Sequence, residues 1–219
     1  MKRRGPSLFS PKRIAGRLWL RFFGWTLDER LPDVERAVVV AAPHTTNWDL
    51  PFSLAVAWSL GLRMQWVGKH TLFEPPFGAF MRWLGGIGVD RRGSKDTVEA
   101  LVQVFEGRPA LMLLIAPSGT RKKAQRWKTG FYYVAVGAKV PIVLGFLDYG
   151  KKRGGLGEVF VPTGDIQKDF QAIRAFYASI RGKFPEQESE ISPGDPPAGS
   201  SSVGGPVGAP EPTRQDERP

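Results

Sequence analysis

The sequence predicts an α/β fold: a single domain with a largely parallel central sheet flanked by helices, preceded by an N-terminal amphipathic helix. Short apolar runs alternate with stretches of helical periodicity from Ala37 to Arg181, the pattern of a layered α/β domain. The apolar runs are continuous, as expected of parallel strands buried on both faces. A basic, aromatic-rich segment precedes them and a Pro/Gly/Ser-rich acidic segment follows. The expected organisation is a membrane-interface segment over 1–30, the α/β domain over 31–184 and a disordered tail over 185–219.

The first 27 residues hold seven Lys or Arg and no acid. Ser10-Pro11 is a helix start, with serine as N-cap and proline at the first helical position. On a 3.6-residue repeat Arg13, Arg17 and Arg21 share one face, and Ile14, Leu18, Phe22 and Trp25 fill the neighbouring arc, continued by Trp19 and Phe23. This pattern fits a helix lying in an anionic membrane surface with Trp19, Phe22, Phe23 and Trp25 at headgroup level. It also fits a helix packed on its own domain.

Strands are expected over 37–43, 63–69, 87–90, 110–116, 141–147 and 158–161. Helices are expected over 77–84, from Ser94 to about Glu106, over 130–138 and over 169–181. In the second of these Val98, Leu101, Val102 and Phe105 give the spacing of one helical face. Beyond Phe184 almost no large apolar side chain remains, too little burial to offset the entropy of ordering.

Composition narrows the chemistry. The absence of cysteine excludes disulfides, thiolate metal sites and a cysteine nucleophile. Two histidines 26 residues apart, without paired carboxylates at ligand spacing, give no metal set. Seven acids and two bases follow Lys183, so the preceding part carries +15 of the net +10, a charge that attracts nucleic acid, anionic lipid or phosphorylated substrates. The longest uncharged run of mostly apolar residues, from Leu50 to Leu62, is 13 residues and contains Pro51, short of the roughly 20 that span a bilayer.

His44 directly follows the first apolar strand, with Asp49 five residues on. Imidazole exchanges its proton near neutrality, and a carboxylate on the second ring nitrogen fixes the tautomer and stabilises the imidazolium. Three further features fall at strand ends: Gly85 to Arg91, Pro117-Ser118-Gly119-Thr120-Arg121, and Val140-Pro141-Ile142-Val143. Ligands of parallel sheets bind at the carboxyl ends of strands, so His44, Arg91 and the Gly119-Thr120-Arg121 turn are expected on one edge. A glycine turn with backbone N–H groups, a hydroxyl and a guanidinium suits an oxyanion or phosphate.

The ordered set His44-x4-Asp49, Gly86 to Arg91, Ser118-Gly119-Thr120-Arg121 and Val140-Pro141-Ile142 resembles the four blocks of the glycerophospholipid acyltransferases, such as the lysophosphatidic acid acyltransferases, over about residues 35 to 150. The Lys69 segment and Trp127 to Phe131 also look familial. The resemblance implies transfer of a fatty acyl group from acyl-CoA or acyl carrier protein, as co-substrate, to a hydroxyl of a lysophospholipid such as 1-acylglycerol-3-phosphate. It implies His44 as general base, Asp49 as its orienting partner, Arg91 and Arg121 on the acceptor phosphate, and Pro141 shaping the acyl side. No cofactor or metal is implied, and the expected location is peripheral, on the cytoplasmic face of a membrane. One position departs: the family usually presents glutamate where Ser118 stands, which points to an altered acceptor.

Bland readings stand beside these. His70 reads as structural or solvated, Lys69 as a phosphate contact or a surface lysine, and Trp127 as an interfacial anchor or core. The run Arg121-Lys122-Lys123 to Arg126 reads as a solvated basic loop or a contact for lipid or coenzyme phosphates. Competing functions are an acyltransferase with an aminolipid or glycolipid acceptor, or a non-enzymatic basic lipid- or nucleic-acid-binding domain. No nucleic-acid motif supports the last.

Overall fold

The computed structural model describes residues 10–90 and 94–197. Among the described residues seven strands form one sheet: β1 (Thr26–Leu27), β2 (Arg36–Ala42), β3 (Met64–Lys69), β4 (Gly86–Val89), β5 (Leu111–Ile115), β6 (Ile142–Asp148) and β7 (Arg153–Phe160). Their order is β1-β7-β6-β2-β5-β3-β4. The five strands from β6 to β4 are parallel, and β7 runs antiparallel to β6. The α-helices of the described residues flank the sheet: α1 (Pro11–Phe22), α2 (Asp49–Leu60), α3 (Gly78–Trp83), α4 (Ser94–Gln103), α5 (Gly130–Gly137) and α6 (Ile166–Tyr177). The expected α/β class with a mostly parallel central sheet is the architecture observed.

Strand β2 shows why the apolar runs are continuous. Val38, Val40 and Ala42 enter one core with β5, β6, α4, α5 and α6, while Ala37 and Val39 enter the other with α1 and α2. Alternate side chains of a strand point to opposite faces, so a central strand between two helical layers needs apolar residues at both parities.

Helix α2, absent from the expected elements, is the uncharged run itself. Its near-uniform apolarity hides the periodicity that marks amphipathic helices, as befits a helix buried all round. Gly61 ends it in the left-handed conformation, at φ 70°. Strand β7 begins five residues earlier than its apolar run, because Arg153-Gly154-Gly155-Leu156-Gly157 gives no strand signal of its own.

The N-terminal helix belongs to the domain. Helix α1 buries Gly16 and Leu20, and a Cβ on Gly16 would lie 2.6 Å from the Ala55 carbonyl oxygen, so glycine lets α1 and α2 approach closely. β1 pairs with β7, and Trp25 stacks on Phe52 at 4.4 Å. No boundary therefore falls at residue 30. Of the four aromatic side chains expected at a membrane, Trp25 is core and Trp19 and Phe23 pack against it. Phe22 remains 83 % exposed, in line with Ile14 and Leu18.

The tail is also shorter than expected. Residues 185–197 fold back as a strap whose Ser192 carbonyl accepts from Trp127 N (3.0 Å) and whose Gly194 N donates to the Trp127 carbonyl (2.9 Å). Backbone bonding of this kind needs no apolar side chains, which is why composition concealed it. Residues 198–219 lie outside the described residues.

Candidate active site

The β2 strand ends at Ala42, and the loop 43–48 carries His44 to the mouth of the sheet before α2 starts at Asp49. Asp49 is buried and its carboxylate is fully used. Oδ2 accepts from His44 Nδ1 (2.9 Å), Thr45 N (3.0 Å) and Thr46 N (3.0 Å). Oδ1 accepts from the Tyr149 hydroxyl (2.8 Å). As first residue of α2, Asp49 also sits at the positive end of that helix's dipole. A carboxylate only accepts, so the proton of neutral His44 resides on Nδ1 and the lone pair on Nε2. The His44 side chain is 23 % exposed, giving this edge a base open to a ligand.

Tyr149 follows β6 and was not visible as a site residue: it lies 100 residues from Asp49 and outside every motif. Burial, reinforced by the adjacent Asp49 charge, pushes the phenol well above its usual range, so it remains a proton donor. Trp25 meets its ring edge-on at 4.9 Å. From the other side, Thr45 Oγ1 accepts from Phe184 N (3.2 Å), fixing the loop against the chain that leaves α6.

Strand β5 supplies the neighbouring turn. Val40 and Ile115 are register partners, and four residues beyond each come His44 and Gly119. Ser118, Gly119 and His44 therefore share the carboxyl edge, as expected. Gly119 takes φ +63°, and Lys128 lays its aliphatic stem across it, 3.2 Å from where a Cβ would sit; only glycine combines that backbone with that contact. The Ser118 hydroxyl donates to the Thr120 carbonyl (2.8 Å), and Thr120 Oγ1 accepts from Lys122 N (3.2 Å). Both side chains thus hold the turn together. Arg121 is exposed beside Lys122 and Lys123, and Lys69, also exposed, ends β3 on the same edge. Clustered cations of this kind attract anionic ligands.

Two expectations have different outcomes. Arg91 lies outside the described residues. Pro141 lies at the opposite edge: it precedes β6, where Ile142 is level with Val38, and its carbonyl accepts from Val38 N (3.0 Å). In parallel strands the start of one is far from the end of its neighbour, here roughly 20 Å at about 3.3 Å per residue, so Pro141 is separated from His44. Trp127 is core, 3 % exposed. His70 Nε2 lies 4.0 Å from Glu74, away from the His44 pair. Among the described residues no cluster of His, Cys, Asp or Glu could hold a metal ion, and no helix is long and apolar enough to cross a membrane.

The model of the family described as Acyltransferase matches residues 25–143, which include β2, the His44–Asp49 loop and the Ser118 turn. The chain belongs to the acyltransferase family. Among solved structures, the 1-acyl-sn-glycerophosphate (LPA) acyltransferase PlsC from Thermotoga maritima aligns with a TM-score of 0.48 and 15 % identity, covering 76 % of this chain and 73 % of that chain. No curated protein sequence matches. In this acyltransferase the family match ends within β6, so Tyr149, α6 and the strap lie beyond it.

Proposed function

We propose that this acyltransferase moves a fatty acyl group from acyl-CoA or acyl carrier protein to a hydroxyl of a lysophospholipid, with 1-acylglycerol-3-phosphate as the reference acceptor. The His44–Asp49 contact of 2.9 Å at the carboxyl edge is the observation that carries this reading. His44 Nε2 removes the acceptor's hydroxyl proton while Asp49 holds the opposite nitrogen. The oxygen attacks the thioester carbonyl, and the tetrahedral intermediate collapses by breaking the carbon–sulfur bond. The imidazolium returns its proton to the departing thiolate, so His44 ends neutral. No enzyme nucleophile is required, consistent with a chain that has no cysteine.

Arg121 and, by its family resemblance, Arg91 are assigned to the acceptor phosphate, with Lys69 as a further cation on the same edge; guanidinium forks suit phosphate oxygens. Ser118 favours a variant acceptor: where the family usually has glutamate, this turn has a neutral hydroxyl bonded within it. The enzyme works at an anionic cytoplasmic membrane surface, a reading supported by the exposed Ile14, Leu18 and Phe22 of α1 and Phe80 and Trp83 of α3. Lys12 joins the two groups, with Nζ 5.3 Å from the Trp83 ring centroid. The test is incubation with labelled acyl-CoA or acyl carrier protein and a panel of lysophospholipids, aminolipids and glycolipids, with products resolved by mass spectrometry. An acylated lysophospholipid absent from the His44→Ala reaction is expected; acylation confined to another lipid class would reassign the acceptor, and no product with any acceptor would overturn the reading.

A further inference from the structure

A large cavity lies beneath the Gly119 turn, on the face of the sheet covered by α4 and α5, and has a volume of about 430 Å³. Val98, Leu101, Ile115, Phe131 and Val134 give it an apolar lining, while Arg126 and Lys128 stand among its polar residues. Its far wall is the strap residues 194–197. Pro117 and Trp127 belong both to this cavity and to the water-sized hollow of about 30 Å³ that His44 and Ser118 line. The cavity therefore adjoins the His44 site across one layer of side chains.

Protein interiors are close-packed, with few voids larger than a water, and ligand sites fall at roughly 300–1,000 Å³. Apolar walls offer water few partners, so the occupant that gains most is a hydrocarbon chain, its anionic end near the two cations. The strap is fastened here in three ways: Ala124 N donates to Ser189 Oγ (2.9 Å), Trp127 exchanges backbone bonds with Ser192 and Gly194, and the Thr129 hydroxyl donates to the Asp195 carbonyl (2.9 Å). Ile191 anchors the strap against the apolar core, and residues 192–197 beyond it are held by hydrogen bonds, a wall that can lift while that core stays packed.

We propose that the strap 189–197 is a specificity-determining wall of a site for one hydrocarbon chain, and that its docking on Trp127 sets the chain length the site accepts. The assignment of that chain to a substrate rests on the acyl-transfer reading; the existence of the site does not. The chain belongs either to the thioester donor or to the lipid acceptor.

Two variants of the full chain test it. Val98→Trp fills the cavity from α4. Gly194→Val dislodges the strap, because a Cβ at this position would lie 2.7 Å from the Trp127 carbonyl oxygen. Equilibrium binding is measured for octanoate, laurate, palmitate and stearate, and transfer is then measured with the donor chain varied at fixed acceptor and the acceptor chain varied at fixed donor. Each methylene held in an apolar site is worth roughly fourfold in affinity, so wild-type affinity climbs with length and then levels off. Val98→Trp lowers palmitate affinity about tenfold or more, since excluding two methylenes suffices, and levels off at a shorter chain. Gly194→Val moves the limit to longer chains. The arm whose length profile moves in parallel identifies donor or acceptor. His44→Ala binds as wild type and transfers nothing.

Length profiles for binding and transfer that both variants leave unchanged overturn the site while acyl transfer stands. Shifted binding profiles in a wild-type protein that transfers nothing retain the site and overturn the transfer reading. Should Val98→Trp fail to fold by circular dichroism, the Gly194→Val comparison decides alone.

Discussion

Tyr149 donates to Asp49 Oδ1 at 2.8 Å, on the oxygen opposite the one that holds His44. The two strands that parallel packing places side by side, β2 and β6, thus each deliver one partner of the same buried carboxylate. Asp49 is held by four donors, and its orientation toward the imidazole does not depend on His44 alone.

Tyr149→Phe removes one of those donors and keeps the ring against Trp25. One donor fewer then orients the carboxylate toward the imidazole. The expected fall in kcat is about tenfold, with KM little changed, the cost of one hydrogen bond to a charged group. A kcat equal to wild type would reduce Tyr149 to packing.

His44→Ala should lower turnover by about 10² to 10⁴, the usual contribution of a general base, with an unchanged circular dichroism spectrum. Turnover within about threefold of wild type contradicts the proposed mechanism. Asp49→Ala should lose stability as well as rate, because the Thr45 and Thr46 N–H groups lose their shared acceptor, at about 1–3 kcal/mol for each group left unsatisfied. Urea unfolding separates the two losses.

Arg121→Ala should raise the apparent KM for a phosphate-bearing acceptor more than that for the thioester donor, and Arg121→Lys should restore only part, since the fork geometry is lost. A KM change confined to the donor would transfer Arg121 to the coenzyme side. Ser118→Glu removes the hydroxyl bonded to the Thr120 carbonyl and should reorder acceptor preference through the turn; an unchanged ranking would make Ser118 neutral for selectivity.

Membrane attachment is best probed at exposed positions. Deleting the whole N-terminal segment also removes Leu20 and Trp25 from the core. Leu18→Glu with Phe22→Glu touches the exposed stripe alone, at 61 % and 83 % exposure, and should reduce partition into anionic liposomes without lowering the melting temperature. Equal partition at low and high salt would leave α1 a packing helix.

Asp28 gives a pH test of the fold. It is buried, accepts from Arg30 Nη2 and Arg153 Nη2 at 2.7 Å each, and the Arg30 hydrogen bonds lower its pKa from 3.8 to about 2. A depressed carboxyl pKa stabilises the fold above the unfolded value and loses that contribution as pH falls through the folded one. Asp28→Asn should therefore cost about 2 kcal/mol at neutral pH, with the gap to wild type narrowing between pH 3.8 and about 2. Urea midpoints across that window check it; a constant gap would remove the ionic contribution.

Local sequence was enough for most of the sheet and for part of the site. Runs such as 37–43 and 110–116 are apolar at both parities because helices cover both faces, and that property survives in one dimension. His44 and Asp49 were legible because the loop joining β2 to α2 is short enough to write their contact into the chain. The Gly119 turn was legible for the same reason. Where apolarity lost its period, as in α2, or glycine replaced side chains, as at the start of β7, the local signal vanished although the packing that forms those elements is strong.

Sequence by itself determined the layered α/β class, the pairing of His44 with Asp49 and the basic turn after β5, all of them signals carried by residues near in the chain. Tertiary structure decided the rest. It brought Tyr149 to Asp49 across 100 residues, because β6 happens to lie beside β2. It put Pro141 at the wrong edge for the site, because parallel strands begin where their neighbours do not end. It turned residues 185–197 into a wall, through backbone groups of Ser192 and Gly194 that every sequence possesses and no composition reveals.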